Sequence, residues 1–214
     1  MTGSANRMTP QAIRQILESY YSPLPIGIEA KVQKYLELME FWGRKISLTS
    51  VREPEEIVRF HFGESMFALS AVKFVESRLA DVGTGAGFPG LALKLAAPEL
   101  QVTLIERNKK KCAFLHEIVR LLGLDGVTIL PSTYEASGIA KNSLSIVSCR
   151  ALGVDRGLLS WSIEVLNPSG MLALWVGYDD SEKIRRTEDW SWGEPRLIPR
   201  TKGRCILVGR PIES

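Results

Sequence analysis

The sequence predicts an α/β fold, a mostly parallel seven-stranded sheet covered by helices on both faces, behind an N-terminal helical extension. Three observations carry this. From residue 78 onward, short β-branched apolar runs alternate with amphipathic stretches. At Leu79-Ala80-Asp81-Val82-Gly83-Thr84-Gly85-Ala86-Gly87-Phe88-Pro89-Gly90 an apolar run ends in an acid, passes four glycines within eight residues, and leads at once into an apolar, helix-like segment. Up to about residue 74, by contrast, the apolar residues recur at helical spacing.

In chain order, Thr9-Pro10 reads as a cap and first position of a helix carrying Ile13, Ile16 and Leu17. Val32, Tyr35, Leu36, Met39 and Trp42 form the apolar stripe of a second helix, stopped by Gly43. Glu53-Pro54 opens a third, running through Arg59, His61 and Met66. These stripes are core-facing surfaces. Strands are expected near 78–82, 101–106, 127–130, 143–149 and 170–176, with helices near 89–97, 108–123, 155–166 and 180–186. Such alternation implies parallel pairing through right-handed crossovers. Trp190-Ser191-Trp192 and Arg204-Cys205-Ile206-Leu207-Val208 read as two last strands, an antiparallel pair at one edge. The expected division is 1–74, a helical extension packed on the sheet, and 75–214, the sheet domain.

The glycine loop is where chemistry is expected. Glycine alone turns the backbone through positive φ at no steric cost and lets a ligand approach it closely. Between a strand and a helix, such a loop holds a nucleotide-like cofactor, and Pro89 suits the first helical position. Gly85-Ala86-Gly87-Phe88-Pro89-Gly90 also fits the dinucleotide fingerprint G-x-G-x-x-G. Glu106 ends the second strand about twenty residues on, where a carboxylate accepts ribose hydroxyls of either a dinucleotide or S-adenosylmethionine. Asp81 separates the two: it would repel a pyrophosphate and attract an ammonium or sulfonium. The loop therefore favours S-adenosylmethionine over a nicotinamide cofactor, and over a tight turn that binds nothing.

With 214 residues, 45% hydrophobic and 24% charged, the chain is one domain with at most a modest appendage. A net charge of +3 permits a nucleic-acid partner without demanding one. Cys112, Cys149 and Cys205 show no paired spacing and there are only two histidines, so neither a zinc site nor a disulfide framework is expected. No signal-like leader or apolar run of membrane-spanning length is present, which points to the cytoplasm and away from membranes.

Ligands of parallel sheets bind beyond the carboxyl ends of the strands. That places Asp81, the Gly83–Gly90 loop, Glu106, Ser132-Thr133-Tyr134-Glu135 and Ser148-Cys149-Arg150-Ala151 at the site. An arginine leaving a strand there is costly without a carboxylate, phosphate or substrate to meet, so Arg150 is read as functional. Lys109-Lys110-Lys111 reads as a solvated helix face. Taken alone, His61 reads as a structural histidine, and Arg52 and Arg59 as surface charges.

Together these residues resemble the RsmG (GidB) family, bacterial small-subunit 16S ribosomal RNA guanine 7-methyltransferases. The resemblance rests on Leu48-Thr49 followed by Arg52, the Arg59, His61, Glu64-Ser65 cluster, the Asp81–Gly90 loop with its Gly-Phe-Pro-Gly ending, and Ser148, Arg150-Ala151. It covers nearly the whole chain. It implies a Rossmann-like class I methyltransferase fold and methylation of nitrogen 7 of one guanine in 16S ribosomal RNA or the small ribosomal subunit; separately, a monomer is expected. It further implies that Gly83 and Phe88 meet the cofactor, as Gly85 does on the reading of the loop itself, with Tyr134 and Glu135 at its adenine and Glu106 at its ribose. Arg150 would stand at the mouth, and Thr49 and His61 on the substrate side. The chain departs from the family pattern at Ser47, where Asn is usual, and at Val176, where Lys is usual. Arg200, Lys202 and Arg204 are candidates for the missing positive charge.

Nitrogen 7 of guanine carries a free lone pair, so no general base is expected. The demands are alignment, a fairly apolar methyl pocket, and a base outside its stack. The rival functions are a methyltransferase for a small molecule or protein, a nicotinamide-dependent oxidoreductase, and a binding protein that has lost catalysis.

Overall fold

The computed structural model describes residues 8–72, 77–150 and 155–212. The expected division at 74/75 and residue Ala151 fall outside the described residues.

Sequence dictates the first helices locally. In α1 (Pro10–Glu18), the Thr9 hydroxyl accepts the Ala12 N–H at 3.2 Å, and Pro10 holds the first turn. In α2 (Ile28–Gly43), Val32, Tyr35 and Met39 are buried, as is Leu38, while Leu36 and Trp42 pack at the edge of the core. The third helical stretch differs from the single helix expected. It runs as α3 (Pro54–Ile57), a π-helical turn over Val58–Gly63, α4 (Glu64–Met66) and a 3₁₀ turn over Phe67–Ser70. Its buried residues Val58, Phe62 and Met66 lie four apart. An ideal α-helix would rotate such a set by ~40° per step, and the wider turn reduces that drift.

The sheet has the order β3-β2-β1-β4-β5-β8-β6. Its members are β1 (Arg78–Val82), β2 (Gln101–Ile105), β3 (Val127–Leu130), β4 (Leu144–Arg150), β5 (Leu166–Gly177), β6 (Trp190–Trp192) and β8 (Arg204–Pro211). The first five strands pair in parallel, and β8 turns antiparallel against β5. The final strands do pair antiparallel, β6 with β8, but a two-residue β7 (Arg196–Leu197) also joins β8 and makes the sheet eight-stranded. Strand β5 begins at Leu166 rather than 170, because Leu166 already pairs with Leu144 before a register shift between Leu144 and Ile146.

Four further helices complete the frame: α5 (Gly90–Ala96), α6 (Lys109–Leu122), α7 (Arg156–Val165) and α8 (Tyr178–Ile184). Asn108 caps α6 through Lys110 and Lys111, Gly123 ends it with φ 56°, and Asp155 caps α7 through Leu158. Pro89 sits one residue earlier than expected, as the cap of α5 rather than its first residue.

One apolar cluster runs from Ile13, Leu17 and Tyr35 through Phe62 and Phe88 to Leu104 and Phe114, so the N-terminal helices share a core with one face of the sheet. The cluster on the other face is built on Val147, Leu158, Leu172 and Leu207. Trp42 donates to Glu117 on α6 at 2.8 Å, and Tyr35 donates to the Ala86 carbonyl at 2.6 Å. The chain leaves β1 toward β2 and β3, then returns to β4 on the other side. The crevice at this reversal is where a parallel sheet binds its ligand.

Candidate active site

A cavity of about 560 Å³ opens at that crevice, lined by Gly83, Gly85, Phe88, Glu106, Tyr134, Glu135, Arg150 and His61 among others. Seven of the residues read from sequence as cofactor contacts therefore share one hollow. Gly83, Gly85 and Gly87 have φ of 66°, 60° and 91°, the left-handed region that other residues rarely enter. The side chain of Glu106 is buried and accepts from Gly85 N at 3.1 Å and Asn108 N at 2.7 Å. It thus holds the loop from the end of the second strand, with lone pairs left for hydroxyl donors.

Asp81, expected to face the cofactor, does not line the cavity. It is 0% exposed and spends both oxygens internally, accepting from Gly90 N at 2.9 Å and from Ser148 Oγ at 2.8 Å. The first free N–H of α5 is thereby taken by a side chain rather than by a ligand. Burial raises the Asp81 carboxyl from 3.8 to about 6, against its hydrogen bonds and Arg150, which act to lower it. A Cβ on Gly90 would lie 2.9 Å from Asp81 Oδ2, so the glycine there is required by packing.

On the far wall, Tyr134 rests against Trp161, ring centroids 5.3 Å apart, and its hydroxyl is pushed up to about 12 by burial and by the Glu135 hydrogen bond. Glu135 is exposed, and hydrogen bonds from Thr133 and a backbone N–H lower its carboxyl. Ser132 Oγ also lines this wall and is buried without a hydrogen-bond partner. A buried hydroxyl without a partner beside the hollow marks an unmet hydrogen-bonding demand there.

Thr49 and His61 meet in the structure, Thr49 Oγ1 to His61 Nε2 at 2.7 Å, while Thr49 also accepts the Val51 N–H. The imidazole stacks on Phe88 at 4.8 Å and 18°. Burial, with Arg150 and Arg204 nearby, lowers its pKa to about 3, so it is neutral at physiological pH. Phe88 is wedged among His61, Phe62 and Tyr35, which explains how the loop and the helical extension set one another's position.

Arg150 contacts Ser65 Oγ at 3.4 Å and Glu64 Oε2 at 3.5 Å, with 13% of its side chain exposed. Arg204 reaches the same carboxylate at 2.6 Å and lies over the Phe60 ring. Arg59 is held by Glu55, one helical turn away, and Arg52 lines a neighbouring groove, with Thr49 in its wall. Sequence reasoning gave Glu64 and Tyr35 no role at the site. Glu64 is signalled only as a member of the cluster that carries the resemblance, and Tyr35 only by its place in an apolar stripe. The three cysteines are buried and form no disulfide. Among the described residues no group of His, Cys, Asp and Glu converges as metal ligands, and no helix is long and apolar enough to cross a membrane.

The family described as rRNA small subunit methyltransferase G, GidB, matches residues 28–192. A protein named ribosomal RNA small subunit methyltransferase G from Stenotrophomonas maltophilia is 38% identical over 189 residues, covering 86% of this chain and 87% of its own. One of the same name from Chloroflexus aggregans is 28% identical over 219 residues, covering 97% and 90%. Among solved structures, a SAM-dependent methyltransferase from Aquifex aeolicus superposes with TM-score 0.58 at 18% identity, over 75% of this chain and 98% of that one. TYW2 of M. jannaschii, in complex with AdoMet, gives TM-score 0.53 at 16% identity over 79% and 80%. At such identities these two establish the fold alone, a Rossmann-like class I methyltransferase sheet.

Proposed function

This chain belongs to the rRNA small subunit methyltransferase G (GidB, RsmG) family, and from that premise we propose that it methylates nitrogen 7 of a guanine in small-subunit 16S ribosomal RNA. The methyl group comes from S-adenosylmethionine, which supplies it on a positively charged sulfur. The observation that carries the reading is the cavity itself. One hollow joins a positive-φ glycine loop, a carboxylate at the second strand's end, and an unpaired Ser132 hydroxyl on the adenine side. Those donors and acceptors fit the cofactor: loop amides and Glu106 for its ribose and amino-acid part, Ser132 and Tyr134 for its base. Asp81 acts from behind the loop, fixing α5 and contributing charge without contact.

The remaining residues serve the acceptor. A neutral His61 stacked on Phe88 makes a flat, weakly polar wall, suited to a planar base and to a transition state in which the sulfonium loses its charge. Thr49 fixes the imidazole's orientation. Because nitrogen 7 needs no deprotonation, a histidine that stays neutral is an advantage and no base is missing. Arg150 presents donors to guanine's acceptor edge, and surrounding cations meet phosphate. The target base must leave its stack to enter. The protein works as a cytoplasmic monomer, contributing to rRNA processing.

The test is transfer of labelled methyl from S-adenosylmethionine to small-subunit RNA from cells lacking this protein. RNA from normal cells serves as the control. Label confined to the deficient RNA and released as 7-methylguanine supports the reading. Cofactor binding with no label on RNA or intact subunits overturns it.

A further inference from the structure

Three strand ends converge on one buried carboxylate. Glu64 is 1% exposed, and its backbone carbonyl accepts the Trp175 indole N–H at 2.9 Å. Trp175 on β5 pairs with Arg150 on β4, and on the other side Gly177 of β5 pairs with Arg204 of β8. Glu64 therefore sits across the mouths of β4, β5 and β8, anchored by the middle one. Its side chain divides between the outer two: Oε2 lies 3.5 Å from Arg150 Nη2 and Oε1 lies 2.6 Å from Arg204 Nη2. The Arg204 contact is off the hydrogen-bond axis, so it balances charge without an aligned donor. One carboxylate between two guanidinia leaves a surplus of one positive charge at the rim of the cavity.

Leaving a carboxylate this buried is costly unless it is paired, and two guanidinia this close repel unless an anion stands between them. Each of the three charges thus depends on the other two. Arg204 is 43% exposed and stacks over Phe60, so the surplus faces outward. Arg150 faces the cavity instead.

We propose that Glu64 is a positioning residue for methyl transfer: shared between Arg150 and Arg204, it holds the Arg150 guanidinium against the cavity wall and leaves Arg204 to meet an RNA phosphate. This rests on the reading that RNA is the acceptor. Its signature is a separation of effects. Without the anion, the surplus at the rim rises from one positive charge to two while Arg150 loses its orientation. RNA then binds at least as tightly as before, but turns over slowly.

Wild-type protein, Glu64→Gln and Arg204→Met are compared by methyl-transfer kinetics, by cofactor titration, and by RNA affinity against salt. In Glu64→Gln, kcat falls at least tenfold, KM for RNA does not rise, cofactor affinity holds within threefold, and the log-affinity against log-salt slope steepens by about 0.7. Arg204→Met shows the reverse in binding: KM for RNA rises and the slope becomes shallower by about 0.7. The proposal is overturned if Glu64→Gln keeps kcat within threefold, or loses cofactor and RNA affinity together as a packing defect would. An unchanged salt slope in Arg204→Met also overturns it, and that variant decides the matter should Glu64→Gln not fold. If wild-type protein transfers no methyl to RNA, the parent reading fails, while the two salt slopes still judge the charge arrangement.

Discussion

Asp81→Asn is expected to stabilise the protein above neutrality, and the size of the effect follows from the buried carboxyl. In the folded protein this group titrates at about 6 instead of 3.8, with burial as the largest cause. A tenfold change in proton affinity corresponds to about 1.4 kcal/mol, so the ionised form costs the native state about 3 kcal/mol. The sign follows from proton binding. Below 3.8 the group is protonated both folded and unfolded, and carries no penalty. Between 3.8 and about 6 the folded protein holds the proton more tightly, so stability falls as pH rises, and above about 6 the loss is complete. Asparagine keeps the packing: its oxygen accepts from Gly90 N and its amide donates to the Ser148 hydroxyl, which rotates to accept. The assay is urea unfolding of both proteins between pH 4 and 8, followed by tryptophan fluorescence. The stability difference should be about 0.6 kcal/mol at pH 4 and rise to about 3 kcal/mol in favour of the variant by pH 7. A difference that is flat in pH, or that grows as pH falls, refutes the account of Asp81 as a strained brace. Weaker cofactor binding by the more stable variant is the trade-off expected if the charge acts through the loop.

His61 gives the opposite pH dependence. Its folded pKa of about 3 lies below the ordinary 6.5, so its contribution to stability is present above 6.5 and is lost as pH falls from there. The methyl-transfer rate should show no histidine limb between pH 6 and 8, and a limb near 6.5 that disappears in His61→Gln refutes a neutral wall. Tyr35→Phe leaves the buried Ala86 carbonyl without its donor and should cost about 1–3 kcal/mol in chemical denaturation. It should also raise KM for the cofactor more than it lowers kcat, and unchanged stability and KM would show that the tether is idle.

Much of the cofactor side was legible because its causes are local. Gly83, Gly85 and Gly87 are glycines because the backbone there has positive φ, a demand written into the residue type itself. Glu106 stands at the end of a recognisable strand, and Tyr134 follows the next one, so parallel pairing alone brings them to one crevice. The acceptor side was less legible. Thr49 and His61 are twelve residues apart and separated by a proline-led helix start, so their contact depends on how the π-helical turn sets the imidazole. Asp81 was placed on the correct strand but on the wrong task, because sequence gives the charge and not the direction it faces.

By itself the sequence determined the alternation of strands and helices, the Thr9 cap, the glycine loop, and the carboxylate one strand over. Each of these is fixed by backbone conformation or by the periodicity of a single segment. Only the tertiary structure decided which groups are spent on holding others. The Asp81 oxygens go to α5 and β4, Tyr35 supports a loop 51 residues away, and Glu64 gathers arginines from two strands, one of them 86 residues distant. The physical reason is that burying a polar group forces it to find a partner wherever packing provides one, and packing is settled by the whole chain at once.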